Sequence, residues 1–366
     1  MPKHSLETRK STERMVDYDR HSSAQQSIIS SHDARIRELA RQVGRGGREM
    51  RVMDYGCGPG TSAIIAVRPA LEVFRARFHD APLVVCHADQ PGNDWNALFG
   101  LVYGPTGYHA GIDNVRTEAS IGSFYERMAD DSSVDLATCF AASHWLSRAV
   151  RLQSPGTVWF ADLQGDARQE MAELARRDWM NFLRLRAREL KPGGFLFVST
   201  LGSIPDGAER NGAAASGRGI YRALQVVAES MARDGLIDAD VLDGFVFSLW
   251  FSTAEEARSP IEGDDDLLLS FEIVTIEVTP APHNPTDFFA GLISDPEKYA
   301  NAYTGYIRAF ADSTLRTQLL APSARGPQSE DRLADEFYRR LHDLYETRLS
   351  EFAFELWHLT VILRKT

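Results

Sequence analysis

Cysteine is scarce in this sequence: Cys57, Cys86 and Cys139 are the only three in 366 residues. Three cannot build a disulfide framework, and neither they nor the ten scattered histidines show metal-ligand spacing. A reduced, cytoplasmic protein is the expectation. Long hydrophobic runs are missing too. No apolar stretch approaches the roughly 20 residues of a membrane span, and the polar start "MPKHSLETRKSTER" holds no signal-peptide core. Positive charge is in short supply, with 40 Lys and Arg against 51 Asp and Glu and a formal net charge of -11. That argues against nucleic acid or an anionic membrane as partner. What is present, 43% hydrophobic and 25% charged residues, suits a globular protein able to bury a large core.

Short apolar runs alternate with helical patterns. Residues 51–56, 82–88, 134–141 and 193–202 read as buried strands. A helix is expected from about Ser22 to the "GRGG" at 44–47, and another through "WMNFLRLRAREL", closed by Pro192, Gly193 and Gly194. This alternation predicts an α/β fold, a Rossmann-like parallel sheet with helices on both faces. The alternating stretches 267–278 and 354–365 predict a terminal antiparallel hairpin, and the acidic "EGDDDLL" before the first reads as a solvated loop. Residues 1–12 are expected to be a disordered tail. The sheet unit then takes residues 13–205, 264–282 and 352–366. The insertions 206–263 and 283–351 form a helical cap over the carboxyl end of the sheet, with the glycine-rich 206–219 as its mobile part.

The chemistry concentrates in "DYGCGPG" (54–60). The strand ends at Asp54 and Tyr55, and Gly56, Gly58 and Gly60 clear side chains from the turn, so that a ligand can lie on bare backbone. The turn lacks the third glycine of G-x-G-x-x-G, since Thr61 stands there, and it has no P-loop lysine. Asp89, at the end of the next strand, is placed to hold a ribose diol. A carboxylate there without the pyrophosphate-fitting glycine points to a nucleoside without phosphates, and S-adenosyl-L-methionine fits. Cys57 and Cys139 read as buried fillers rather than nucleophiles.

Several stretches together resemble the SABATH family of plant-type carboxyl methyltransferases, over nearly the whole chain. "YDRHSSAQQ" (18–26) is similar to the family's opening motif. "ADQPGNDWNALF" (88–99), "IGSFYERM" (121–128), "SHWLSRA" (143–149), "LKPGGFLFVSTLG" and "GLIDADVLDGFVFSLWFSTAEE" follow in the family's order. The resemblance implies a seven-stranded class I methyltransferase sheet and transfer of a methyl group from S-adenosyl-L-methionine to a small organic carboxylic acid. A homodimer is likewise expected from it. Tyr18, Asp54, Gly56, Cys57, Ser62, Asp89, Gln90, Ser123, Phe124 and Phe140 are expected at the cofactor, with Asp89 on the ribose and Ser123 and Phe124 at the adenine. The acid's carboxylate is expected between Gln25 and Trp145, beside His144. Ala141, Ile220, Tyr221 and Trp250 would line its apolar part. Without the resemblance Trp145 reads as a core tryptophan and Gln25 as a solvated side chain.

The sequence departs from the family pattern in places. His21 replaces an asparagine, Gln90 a leucine, and Ala141 stands where many members carry a tyrosine. The family's magnesium-associated segment becomes Asp243, Phe245 and Val246, so no metal is expected. Other readings stand beside carboxyl transfer. One is N-methylation of a heterocycle, which the same family also performs. The other is a cofactor-binding module without catalysis.

Overall fold

A computed structural model describes residues 23–44, 47–204, 215–281, 286–325 and 329–366, without the side chains of residues 23–25. The expected tail 1–12, Tyr18, and most of the glycine-rich 206–219 segment lie outside the described residues, as does the side chain of Gln25.

Seven strands form one sheet in the order β3-β2-β1-β4-β5-β7-β6. They are β1 (Met50–Tyr55), β2 (Leu83–Asp89), β3 (Val115–Ile121), β4 (Val134–Phe140), β5 (Leu190–Leu201), β6 (Phe271–Pro280) and β7 (Trp357–Lys365). The first five are parallel, and β7 runs antiparallel between β5 and β6. The expected terminal hairpin is therefore present. Strand order reverses between β1 and β4, which opens a crevice at their carboxyl ends. Every residue of β4 is buried, as a central strand covered on both faces requires.

Sequence reasoning missed β3. Its "VRTEASI" has no apolar run because it is an edge strand, half exposed, with Glu118 paired to Arg51 of β1 at 2.6 Å. Four other expectations are corrected. The strand expected at 267–278 begins only at Phe271. Before it, Asp265–Ser270 is a helix, started by Asp264 Oδ1 accepting the Leu267 amide at 3.0 Å. The acidic run is thus a helix cap with acids in the first turn rather than a loop. Pro192, Gly193 and Gly194 do not close the preceding helix; they open β5, and the helix Gly165–Glu189 ends earlier. The N-terminal helix is two, Ser23–Ser31 and Asp33–Gln42, broken at His32.

Apolar side chains gather in three cores. One lies on the sheet face carrying Val52, Phe195 and Phe197, under the helices Asp33–Gln42 and Thr61–Arg77. The opposite face carries Met53, Leu196 and Val198, under Gly165–Glu189 and Ala254–Glu262. The third belongs to the helices Arg218–Arg233, Pro296–Leu315 and Glu330–Thr347, and includes Trp159, Phe247 and Phe251. Buried Asp287 anchors this cap by accepting the hydroxyls of Tyr299 at 3.0 Å and Tyr303 at 2.7 Å. The Tyr303 oxygen in turn accepts the Phe354 amide at 2.7 Å. That chain of bonds ties the cap to the segment leading into β7. No helix among the described residues is long and apolar enough to cross a membrane.

Candidate active site

At the switch point the β1 turn forms the floor of a cleft of about 2150 Å³, counting its part open to solvent. Gly56 and Gly58 both hold left-handed backbone, with φ of +69° and +64°. A Cβ on Gly56 would stand 2.4 Å from the Ala142 Cβ, whereas one on Gly58 meets nothing within 4 Å. Gly56 is therefore required for close packing and Gly58 for the curve alone. Asp89 braces the turn from β2, with Oδ2 accepting the Gly58 amide at 2.8 Å and Oδ1 its neighbouring Gln90 amide at 2.7 Å. Asn93 donates to the Gly58 carbonyl at 3.2 Å. Burial pushes the Asp89 carboxyl above its ordinary value, against the pull of the two amide bonds. The Cys57 thiol is pushed well up by burial, then by the charges of Asp89 and Asp54, so it is inert at neutral pH.

The cleft fits an adenosyl amino acid on its own features. Ser62 lines it with a buried hydroxyl that has no hydrogen-bond partner among the described residues, at the start of the helix Thr61–Arg77. An orphaned donor there suits a carboxylate. Asp89 and Phe124 line the same cleft, a carboxylate able to accept from a diol and a ring able to offer a face to a base. Phe124 is held by Phe182, edge-on at 6.0 Å, and by Arg186 donating to its carbonyl at 2.9 Å. The Arg186 guanidinium also pairs with buried Glu189, which accepts the Tyr55 hydroxyl at 2.5 Å. Sequence reasoning missed this support because its members come from one helix and from β1, far apart in the chain.

A second cavity, of about 720 Å³ counting its part open to solvent, lies between the sheet and the cap. Its lining is mostly apolar, from Ile28, Ile29, Leu201, Ile220, Phe310 and Phe354 among others, with no lysine or arginine among the described residues. Ile29, Ala141 and Trp145 line both spaces, so the two share one wall. The Trp145 indole N–H has no hydrogen-bond partner among the described residues. Its backbone is fixed by an antiparallel bridge to Leu249 and by the Tyr125 hydroxyl donating to its carbonyl at 2.6 Å. Tyr125 thus links the loop after β3 to the wall between the two spaces. His144 lines the cavity, buried, with Nδ1 2.8 Å from the Thr200 hydroxyl oxygen.

The expected residues divide between the two spaces, with Ala141 and Trp145 in both. Gly56, Cys57, Ser62, Asp89, Gln90, Ser123, Phe124 and Phe140 all line the cleft, and Ala141, His144, Trp145, Ile220 and Tyr221 the cavity. Gln25 falls in the helix Ser23–Ser31, one turn ahead of Ile28 and Ile29. Two expectations are corrected. Asp54 does not line the cleft. Its carboxylate is buried, accepting Thr138 Oγ1 at 2.9 Å and lying 3.3 Å from His87 Nδ1, so it is a pillar under the turn. Trp250 does not line the acceptor cavity but packs on Phe160 at 4.8 Å, beneath the Arg168 guanidinium. In the segment of Asp243, Phe245 and Val246, the Asp243 carbonyl accepts the Ser154 amide at 3.0 Å and Phe245 bridges to Arg151. Sequence reasoning also missed Ser199, Phe354 and His358, which strand pairing delivers to the cavity.

Three histidines around the cavity are held neutral by burial, with pKa values lowered to about 3 for His144 and about 4 for His32 and His358. An unfolded histidine takes up its proton near 6.5 and these do not, so each contributes stability that is complete above pH 6.5 and lost as pH falls toward 4. The expected result is a melting temperature that drops as pH is lowered from 7 to 5. Scanning His144→Asn beside the wild type isolates one group: its slope should be shallower by up to one proton between pH 6 and 4, about 1.4 kcal/mol per pH unit.

Residues 8–366 match the model of the S-adenosylmethionine-dependent carboxyl methyltransferase family. Gibberellic acid methyltransferase 2 of Arabidopsis thaliana is 24% identical over 335 residues, covering 85% of this chain and 80% of its own. The 3,7-dimethylxanthine N-methyltransferase TCS1 of Camellia sinensis is 24% identical over 79% of this chain and 77% of its own. A solved loganic acid methyltransferase with S-adenosylhomocysteine superposes with a TM-score of 0.74 at 19% identity, over 97% of this chain and 99% of that one, and so shares the fold. With a match along almost its full length and a cleft shaped for an adenosyl amino acid, the chain belongs to the S-adenosylmethionine-dependent carboxyl methyltransferases, the SABATH family.

Proposed function

We propose that the carboxylate of a small organic acid is held at the wall shared by the two chambers and is methylated there to the ester. The shared wall of Ile29, Ala141 and Trp145 carries this reading, because it is the only described surface that faces both ligand spaces. S-adenosyl-L-methionine supplies a methyl group made electrophilic by a sulfonium. Ser62, Asp89, Ser123 and Phe124 would hold it. The Trp145 indole and the Gln25 amide orient one carboxylate oxygen as neutral donors. Neutral donors suit the task, since a lysine or arginine would hold charge on the very oxygen that must give it up.

An acid with a pKa near 4–5 is ionised at neutral pH, so the enzyme needs no general base. His144, buried, neutral and engaged with Thr200, positions the wall instead of moving a proton. Attack of an anion on a cation leaves two neutral products, and the apolar cavity favours that loss of charge over solvated ions. The cap supplies the roof that keeps water out.

Incubating the full chain with methyl-labelled cofactor and a panel of aromatic, indolic and isoprenoid acids tests the reading. A base-labile label marks an ester. N-methylation is the second reading, favoured by the likeness to the xanthine enzyme, and would leave a base-stable label on a purine. Cofactor binding with no label from any acceptor would point to a binding module. Asp89→Ala should weaken binding of S-adenosylhomocysteine by about 10- to 100-fold, as loss of a charged acceptor does, and an unchanged dissociation constant would remove Asp89 from the ribose. The reading includes a cytoplasmic homodimer, supported by the family resemblance and by three buried, unbridged cysteines; sedimentation checks the dimer.

A further inference from the structure

The acceptor cavity is lined by one imidazole that the transfer does not use and whose nitrogens are both bare among the described residues. His358 lines it, is only 6% exposed, and has no hydrogen-bond partner at Nδ1 or Nε2 among the described residues. The neighbouring polar groups are engaged: His144 Nδ1 with Thr200 at 2.8 Å, and Ser199 Oγ with His32 Nε2 at 2.8 Å. In the antiparallel register His358 stands opposite Leu201, and Thr360 opposite Ser199. Paired residues project from the same face, so His358, Leu201 and Ser199 form one patch of the cavity. Ser199 adjoins the shared wall, its carbonyl accepting the Ala141 amide at 2.8 Å, while Leu201 and, one strand further, His358 carry the patch away from it; none of the three lines the cofactor cleft. Buried polar groups in native folds nearly always have partners, and leaving both imidazole nitrogens bare is costly.

We propose that His358 is a specificity-determining residue that receives an oxygen function, a hydroxyl above all, on the part of the acid remote from its carboxylate. The substrate class is then an oxygenated organic acid rather than one with a plain hydrocarbon or aryl body. A neutral imidazole offers one N–H and one lone pair, and a hydroxyl can answer either, whichever tautomer faces it. Burial keeps the ring neutral at physiological pH, so a second carboxylate would gain no ion pair there. Apolar neighbours on the rest of the wall exclude competing water, which sharpens discrimination between an acid that carries the oxygen and one that lacks it. The inference rests on the cavity being the acid site.

Matched acids on one carbon skeleton, with and without a distal hydroxyl, should be titrated calorimetrically into the full chain loaded with S-adenosylhomocysteine. Ester formation is assayed in parallel with the active cofactor. For at least one skeleton the hydroxylated acid should bind about tenfold or more tightly. His358→Leu should bring that ratio near one, and His358→Gln should restore part of it, with cofactor affinity unchanged in both. Removing the bare imidazole should also raise the melting temperature of the unliganded protein by about 2–4 °C. A preference that survives His358→Leu, or no preference for any pair, overturns the proposal. Discrimination through His358 without ester formation would keep the subsite and sink the methylation reading, and ester formation without discrimination would do the reverse.

Discussion

Replacing Trp145 by phenylalanine should cut turnover by about 10²-fold while affinity for S-adenosylhomocysteine changes by less than about threefold. The phenyl ring fills much of the indole's space between the two chambers, so the wall stands and only the N–H is lost. Orientation is the enzyme's main contribution when nucleophile and electrophile are already charged, and one donor of a pair then carries a large share of it. Trp145→Ala should cost more, since it also opens the shared wall to water. Steady-state kinetics on any accepted acid, beside calorimetry with the spent cofactor, separates the two effects. Equal losses in turnover and cofactor affinity would mean that the acid lies elsewhere. A plateau in rate from pH 6 to 8 would accord with catalysis free of a titrating base.

Gly56→Ala should destabilise the protein by about 2–5 kcal/mol, whereas Gly58→Ala should cost only about 1–2. Both glycines occupy left-handed backbone and both substitutions bear that strain. Only at Gly56 does the new methyl collide, 2.4 Å from the Ala142 Cβ. Ala142 follows Ala141 at the end of β4, so relief would have to move the acceptor wall as well as the turn. Gly56→Ala should accordingly lose about 10²-fold or more in cofactor affinity, and Gly58→Ala far less. Denaturant unfolding and calorimetry on the two variants check this, and similar losses at both would show that conformation alone, not packing, governs the turn.

Most of the sheet was legible in the sequence because β1, β2, β4, β5 and β7 are covered strands, whose apolar runs stand out from the helices between them. The edge strand β3 carries polar residues on its open side and left no such run. The Asp265–Ser270 helix was hidden because its leucines alternate poorly and its defining feature is the Asp264 cap. In the site, Asp89 stood out at a strand end beside the glycine turn, whereas Ser62, Phe124 and Trp145 were expected only from the family's motifs. His358 and Ser199 were expected from neither. They become neighbours only when β7 inserts between β5 and β6, and no local pattern announces that pairing. Asp54 and Trp250 show the opposite error: both sit beside the chambers in sequence, yet strand alternation and cap packing turn their side chains into the protein.

The partition of the two chambers also sets where such a scaffold has room to vary. Ile29, Ala141 and Trp145 border both spaces, so an exchange there, such as Ala141 in place of the tyrosine many relatives carry, bears on the cleft as well as on the cavity. Ile220, Phe310, Phe354 and His358 border the acceptor alone. New acids can therefore be taken up by remodelling the roof and the final strand, while the donor half of the machine stays as it is.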